Sequence, residues 1–158
     1  MKMKLHYFVM LLFAFVTVSC STESIGPATD SKVENAVEVE QELLGIVNEH
    51  RVSLGYNNLD FSSVAYEYAS KHTDYMIAKG TINHDNFSAR ASDISQAVNA
   101  SYVSENVAKD YDSALEAFQK WLASADHRKT MEGEFTHTAV SVKRNTDGKL
   151  YFTQLFYR

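Results

Sequence analysis

The chain of 158 residues is long enough for one domain whose core stands without disulfide or metal staples. Its apolar (45%) and charged (22%) fractions and its single proline exclude disordered, collagen-like and proline-rich classes. A formal charge of −5 argues against a nucleic-acid partner, whose phosphates demand basic patches.

Residues 1–20 read as an export signal. "MKMK" is a basic start, "LHYFVMLLFAFV" an apolar run too short for a comfortable membrane span, and "TVSC" a small-residue end. Cys20, the sole cysteine, sits where a bacterial lipoprotein carries its acylated residue. Ser19 and Cys20 match such a lipobox, whereas Thr17 departs from its usual leucine. The expectation is a membrane partner through a lipid anchor at Cys20, on the periplasmic face or the cell surface, and otherwise a secreted chain. With Cys20 acylated, no internal disulfide is available. Removal of residues 1–19 takes away Lys2 and Lys4 and no acid, which moves the formal charge from −5 to −7. Residues 21–34 begin "STESIGPATDS", the small, polar composition of a flexible tether, and residues 35–158 form the domain, expected to be a monomer.

The stretch "KVENAVEVEQELLGIVNEHRVSLG" predicts a first helix, with Val39, Leu43, Ile46, Val47 and Leu54 at three- and four-residue steps and Gly55 as its stop. "YNNLDF" reads as a loop anchored in the core by Leu59 and Phe61. A second helix follows Ser62 as N-cap, carries Ala65, Tyr68, Ala69, His72 and Met76 on one face, and stops at Gly80. Ser88 is read as the cap of a short helix through "ARASDISQAV", which leads to a brief strand near "YVSENVA". Asp112 is read as the cap of a third long helix with Ala114, Leu115, Phe118, Trp121 and Leu122 on its buried face. "ADHRKTMEGEF" then reads as a polar turn region. "FTHTAVSVKR" and "KLYFTQLFYR" around "NTDG" predict a β-hairpin. Its second strand is apolar or aromatic on both faces, which places it inside a sheet covered on both sides. The fold class expected is α+β, a three-layer α-β-α sandwich with a small antiparallel sheet.

The ordered series "LLGIVNEHRVSLGYNNLDF", "GTINHDNF", "SENVA", "WLASADHRKTMEGEFTHTAVSV" and "YFTQLF" resembles the CAP superfamily, in particular its bacterial secreted branch. That superfamily groups cysteine-rich secretory proteins, antigen-five allergens and plant pathogenesis-related proteins. The resemblance runs from about Gln41 to Phe156. It implies an α-β-α sandwich with a surface cleft, where many members place two histidines and two glutamates that can bind a divalent cation. His84 matches the first histidine, and Glu105 matches the glutamate of the "GEN" motif, here "SEN". The other two positions carry Ser124 and Glu134. The bacterial "W..S..HR" pattern matches Trp121, Ser124, His127 and Arg128, which makes His127 a cleft candidate, and His137 is an additional imidazole for the same cleft.

His84, Glu105 and His127 are thus the candidate ligands of a divalent cation such as zinc, with water completing the sphere. The bland alternative has Glu105 pinning an irregular segment through hydrogen bonds and His127 with Arg128 holding a turn. The sequence contains no "GxSxG" elbow, glycine-rich phosphate cradle or "HExxH" helix. Two functions remain. One is an extracytoplasmic module that binds a lipid, glycan or protein in its cleft; the other is a metal-dependent envelope hydrolase using His84, His127 and Glu105. The first is preferred.

Overall fold

The computed structural model describes residues 33–158, so the expected signal, Cys20 and most of the tether lie outside the described residues. The first element is a two-residue strand, β1 (Glu34–Asn35), followed by helix α1 (Val37–Ser53). The first helix therefore starts later than its pattern suggested, because Glu34 and Asn35 pair with Arg144 and Lys143 instead. Strand β2 (Asp60–Phe61) and helix α2 (Ser63–Lys79) come next, with the Ser62 hydroxyl accepting from Ala65 N–H as a cap. Gly80 ends α2 at φ 71°, a backbone angle that favours glycine.

Helix α3 (Phe87–Val98) starts one residue before Ser88, so Ser88 is not its cap. The chain enters and leaves it through Asn86 and Asn99, both left-handed, a conformation asparagine tolerates better than most residues. Strand β3 (Val103–Lys109) leads to helix α4 (Ala114–Ala123). Its cap is Ser113 and not Asp112: Ser113 Oγ accepts from Glu116 N–H while Glu116 receives Asp112 N–H, a reciprocal arrangement. The expected turn region folds instead as helix α5 (Ala125–Met131), held by backbone bonds and by burial of Met131. Strands β4 (His137–Arg144) and β5 (Leu150–Tyr157) form the hairpin.

The sheet order is β1-β4-β5-β3, antiparallel throughout this path, and β2 adds to β4 in parallel. Strand β5 lies between β4 and β3, and every one of its residues is buried. One face packs against α1, α4 and α5 through Leu43, Val47, Phe118, Trp121, Met131, Phe152 and Phe156. The other packs against α2 and α3 through Ala65, Ala69, Ile94, Val103, Ala139 and Leu155. This is the three-layer α+β sandwich expected from the pattern. Three apolar residues depart from it: Leu54, Phe61 and Leu115 are exposed, because each falls at an element's end or on a helix's outer face.

Arg51 ties the layers together at one end. Fully buried, it donates to Met131 O, Gly133 O and Asn57 O, and so fixes the end of α5 against α1, with no acidic partner among the described residues. Burial lowers its pKa, and the carbonyl dipoles satisfy the guanidinium in place of water.

Candidate functional site

Alternation along β3 decides which way each polar residue of "SEN" faces. Glu105 lies across from Leu155, on the side of α2 and α3, whereas Ser104 and Asn106 face α5. A carboxylate pressed onto an apolar face needs partners, and two come from the segment after α2. His84 Nδ1 lies 2.9 Å from Glu105 Oε1. A carboxylate only accepts, so Nδ1 carries the proton and Nε2 is the ring nitrogen left for other work. Arg90, one turn before the buried Ile94, donates from Nε to Oε2 and from Nη2 to Oε1, each at 2.9 Å. That two-point geometry is the strong form of such a pair. The Glu105 side chain is 1% exposed and Arg90 8%, while His84 is 54% exposed at the rim.

A second histidine completes the cluster from below. His72 lies on the buried face of α2, donates Nε2–H to Asn83 O at 2.8 Å, and stands 3.8 Å from Glu105 Oε1. Its hydrogen bond holds the turn that delivers His84. Burial lowers the His72 pKa and outweighs the attraction of Glu105, which favours the neutral ring. Sequence reasoning placed His72 on the helix but outside the site, and did not single out Arg90. Their signal was position: each is the one ionisable residue on the buried face of its helix.

The other candidates bond elsewhere than to Glu105. His127, in α5, accepts from Ser124 Oγ or donates to it at 2.8 Å and stacks on Trp121 with ring centres 6.3 Å apart. Its backbone oxygen accepts from Asn106 Nδ2. Burial and, after it, the electrostatic influence of His84 lower its pKa. His137 bonds Thr136 Oγ1 and stacks flat on Tyr157 at 4.7 Å. Tyr157 in turn pairs with Val103, so His137 is two strands and two residues removed from Glu105.

Whether these residues suit a divalent cation follows from the donor set. Both oxygens of Glu105 already accept from Arg90, and Oε1 from His84 as well. Of the two remaining tetrad positions, Ser124 engages His127 and Glu134 pairs with Arg158 at 2.9 Å. Among the described residues no three His, Cys, Asp or Glu side chains are grouped to hold a metal ion. The residues present do not fit a zinc site built on Glu105.

Beyond the edge of β3, on the α5 side, a cleft of about 920 Å³ opens. Its walls include Tyr56, Tyr102, Ser104, Arg128, Lys129 and Arg158. Tyr102 stacks on Phe135 at 5.8 Å, with the Arg158 guanidinium 5.7 Å from its ring centre. Among the described residues neither Arg128 nor Lys129 forms an ion pair, whereas Glu132 is held by His50 and Glu134 by Arg158.

The model of the cysteine-rich secretory protein family, CAP, matches residues 44–156. No curated protein sequence matches the chain. Among solved structures, an outer surface protein of Borrelia burgdorferi superposes with a TM-score of 0.70 at 20% identity, covering 77% of this chain and 92% of that one. An extracellular protein of Bacillus anthracis containing an SCP domain gives 0.68 at 24% identity, and a cysteine-rich secretory protein of Staphylococcus aureus 0.65 at 18%. Each of these two covers 77% of this chain, which spans only 41% and 39% of theirs.

Proposed function

The chain belongs to the cysteine-rich secretory protein (CAP) family, and from that premise we propose that it is an extracytoplasmic binding module and not a metal-dependent hydrolase. The observation that carries this reading is the closure of Glu105. A general base or metal ligand needs a lone pair directed at substrate, water or cation. Here Arg90 and His84 take up the carboxylate, and its side chain is sealed from solvent. Glu105 therefore acts as a positioning group that fixes His84 and α3 beside β3.

The ligand's place in this reading is the cleft beside α5. Arg128 and Lys129 offer positive charge on a wall that also carries Asp126, and the tyrosines offer ring surface, which suits a polar ligand with negative charge, such as an acidic glycan, better than an acyl chain. Binding of the mature protein to an acidic polysaccharide series, followed by calorimetry, tests it. Saturable binding weakened by Arg128→Ala with Lys129→Ala supports the proposal; equal binding by wild type and the double variant contradicts it.

We also infer export with a lipid anchor at Cys20. Support comes from the amino-terminal pattern and from the surface and extracellular descriptions of the Borrelia and Bacillus proteins. Incorporation of radiolabelled fatty acid that disappears in Cys20→Ala is the expected result, and unlabelled wild-type protein would refute it.

A further inference from the structure

The outer edge of the sheet has an interruption. Strands β1 and β2 both flank β4, and each covers only one end: β1 pairs with Lys143 and Arg144, β2 with His137 and Thr138. Ala36 N–H donates to Val142 O, Ser62 N–H to Thr138 O and Asp60 N–H to Thr136 O. The even-numbered residues of β4 therefore turn their backbone groups away from β5. Strand alternation puts the N–H and C=O of Val140 on that same edge, in an interval that neither β1 nor β2 reaches. At the next such position a side chain substitutes for a strand, since Glu40 Oε1 accepts Val142 N–H at 2.8 Å.

A cavity of about 420 Å³ lies over this interval. Val37 and Leu44 of α1, Phe61 of β2, Tyr66 of α2 and Val140 wall it, with Glu40 as its one acidic residue. Phe61 and Val37 are 58% and 47% exposed, so the mouth is apolar and open, while Val140 lies buried at its floor.

We propose that this notch receives a short, extended, apolar peptide segment that completes the edge of β4. Its N–H and C=O pair with the C=O and N–H of Val140, and its side chain lies on Val37, Leu44 and Phe61. An adjacent donor and acceptor on one residue is what extended peptide presents, and what an acyl chain or a sterol lacks. The uncovered interval, residues 139–141, is roughly 10 Å long at about 3.3 Å per residue, which fits two or three peptide residues. The carboxylate at Glu40 disfavours an acidic side chain there. The notch is separate from the cleft beside α5, so either proposal can fail without the other.

The test is amide NMR of the mature protein titrated with Ac-Ala-Leu-Ala-NH2, with the same peptide N-methylated at leucine, with Ac-Ala-Glu-Ala-NH2, and with palmitate. The proposal expects saturable shifts at Val140 and its neighbours with the leucine peptide. It expects about fivefold weaker binding after N-methylation, the equivalent of one hydrogen bond, and weaker binding again with glutamate. Phe61→Ser, at an exposed position that leaves the fold intact, should also weaken the leucine peptide. Absence of saturable shifts at Val140, equal affinity for the N-methylated peptide, or palmitate alone shifting these amides would overturn it.

Discussion

Glu105 and Glu40 each turn a carboxylate into the protein beside the sheet, but their surroundings differ. Glu105 meets a guanidinium at two points and an imidazole at a third. Glu40 meets a backbone N–H and the Tyr66 hydroxyl, while Lys143, within electrostatic range, is drawn away to Asp74 at 2.6 Å. Burial consequently raises the Glu40 pKa above its ordinary value. The contrast teaches that a buried acid in this fold can be closed or left with capacity, according to whether a cation is packed with it. The closed site positions residues, and the open one borders a notch walled in part by Val140.

The largest expected effect breaks the closed side. Arg90→Ala leaves Glu105 buried without its cation and should destabilise by about 3–5 kcal/mol in urea unfolding. A paired change, Arg90→Met with Glu105→Leu, should recover most of that loss, since a packed apolar pair removes both desolvation penalties.

Next comes the open side. Glu40→Ala strands Val142 N–H and should cost about 1–3 kcal/mol, whereas Glu40→Gln keeps an acceptor and should stay within about 1 kcal/mol at pH 7. An effect of Glu40→Gln as large as that of Arg90→Ala would erase the distinction between the two acids.

Acidification separates Glu40 from the buried histidines by sign. His72 and His127 hold folded pKa values lowered by burial, so between those values and the unfolded value of about 6.5 the unfolded chain binds more protons. Their contribution is complete above that pH and is lost as pH falls. Glu40, with its pKa raised, contributes the opposite way: stability fades as pH rises from about 4.5 through its folded pKa. Thermal melts should therefore show stability falling below about pH 6.5, more steeply in Glu40→Gln than in wild type. A shallower fall in that variant would contradict the assignment.

The smallest effect belongs to His84. Half exposed, it should cost less than about 1 kcal/mol when changed to alanine, measured by the same urea titration.

Much of this fold is legible because its helices and hairpin write their burial into periodicity. Leu43 and Val47, Ala65 and Ala69, and the doubly apolar β5 all fall where spacing puts them. The features that spacing conceals depend on distant residues. Helix α5 carries no long apolar stripe and is fixed by Arg51, some eighty residues earlier in the chain. Ser113 and Asp112 are both good caps locally, and only the Glu116 bond separates them. At the site, the resemblance drew attention to His84 and Glu105, which do meet. It offered no view of Arg90, because a salt bridge between a helix and a strand has no sequence period. Nor could it foresee that Ser124 would engage His127, one turn away on the same face.

The most direct test of the closed Glu105 is a zinc titration of tag-free mature protein, followed by calorimetry alongside the His84→Ala variant. The account predicts no saturable uptake that depends on His84. One equivalent of zinc bound by wild type and lost in His84→Ala would contradict it.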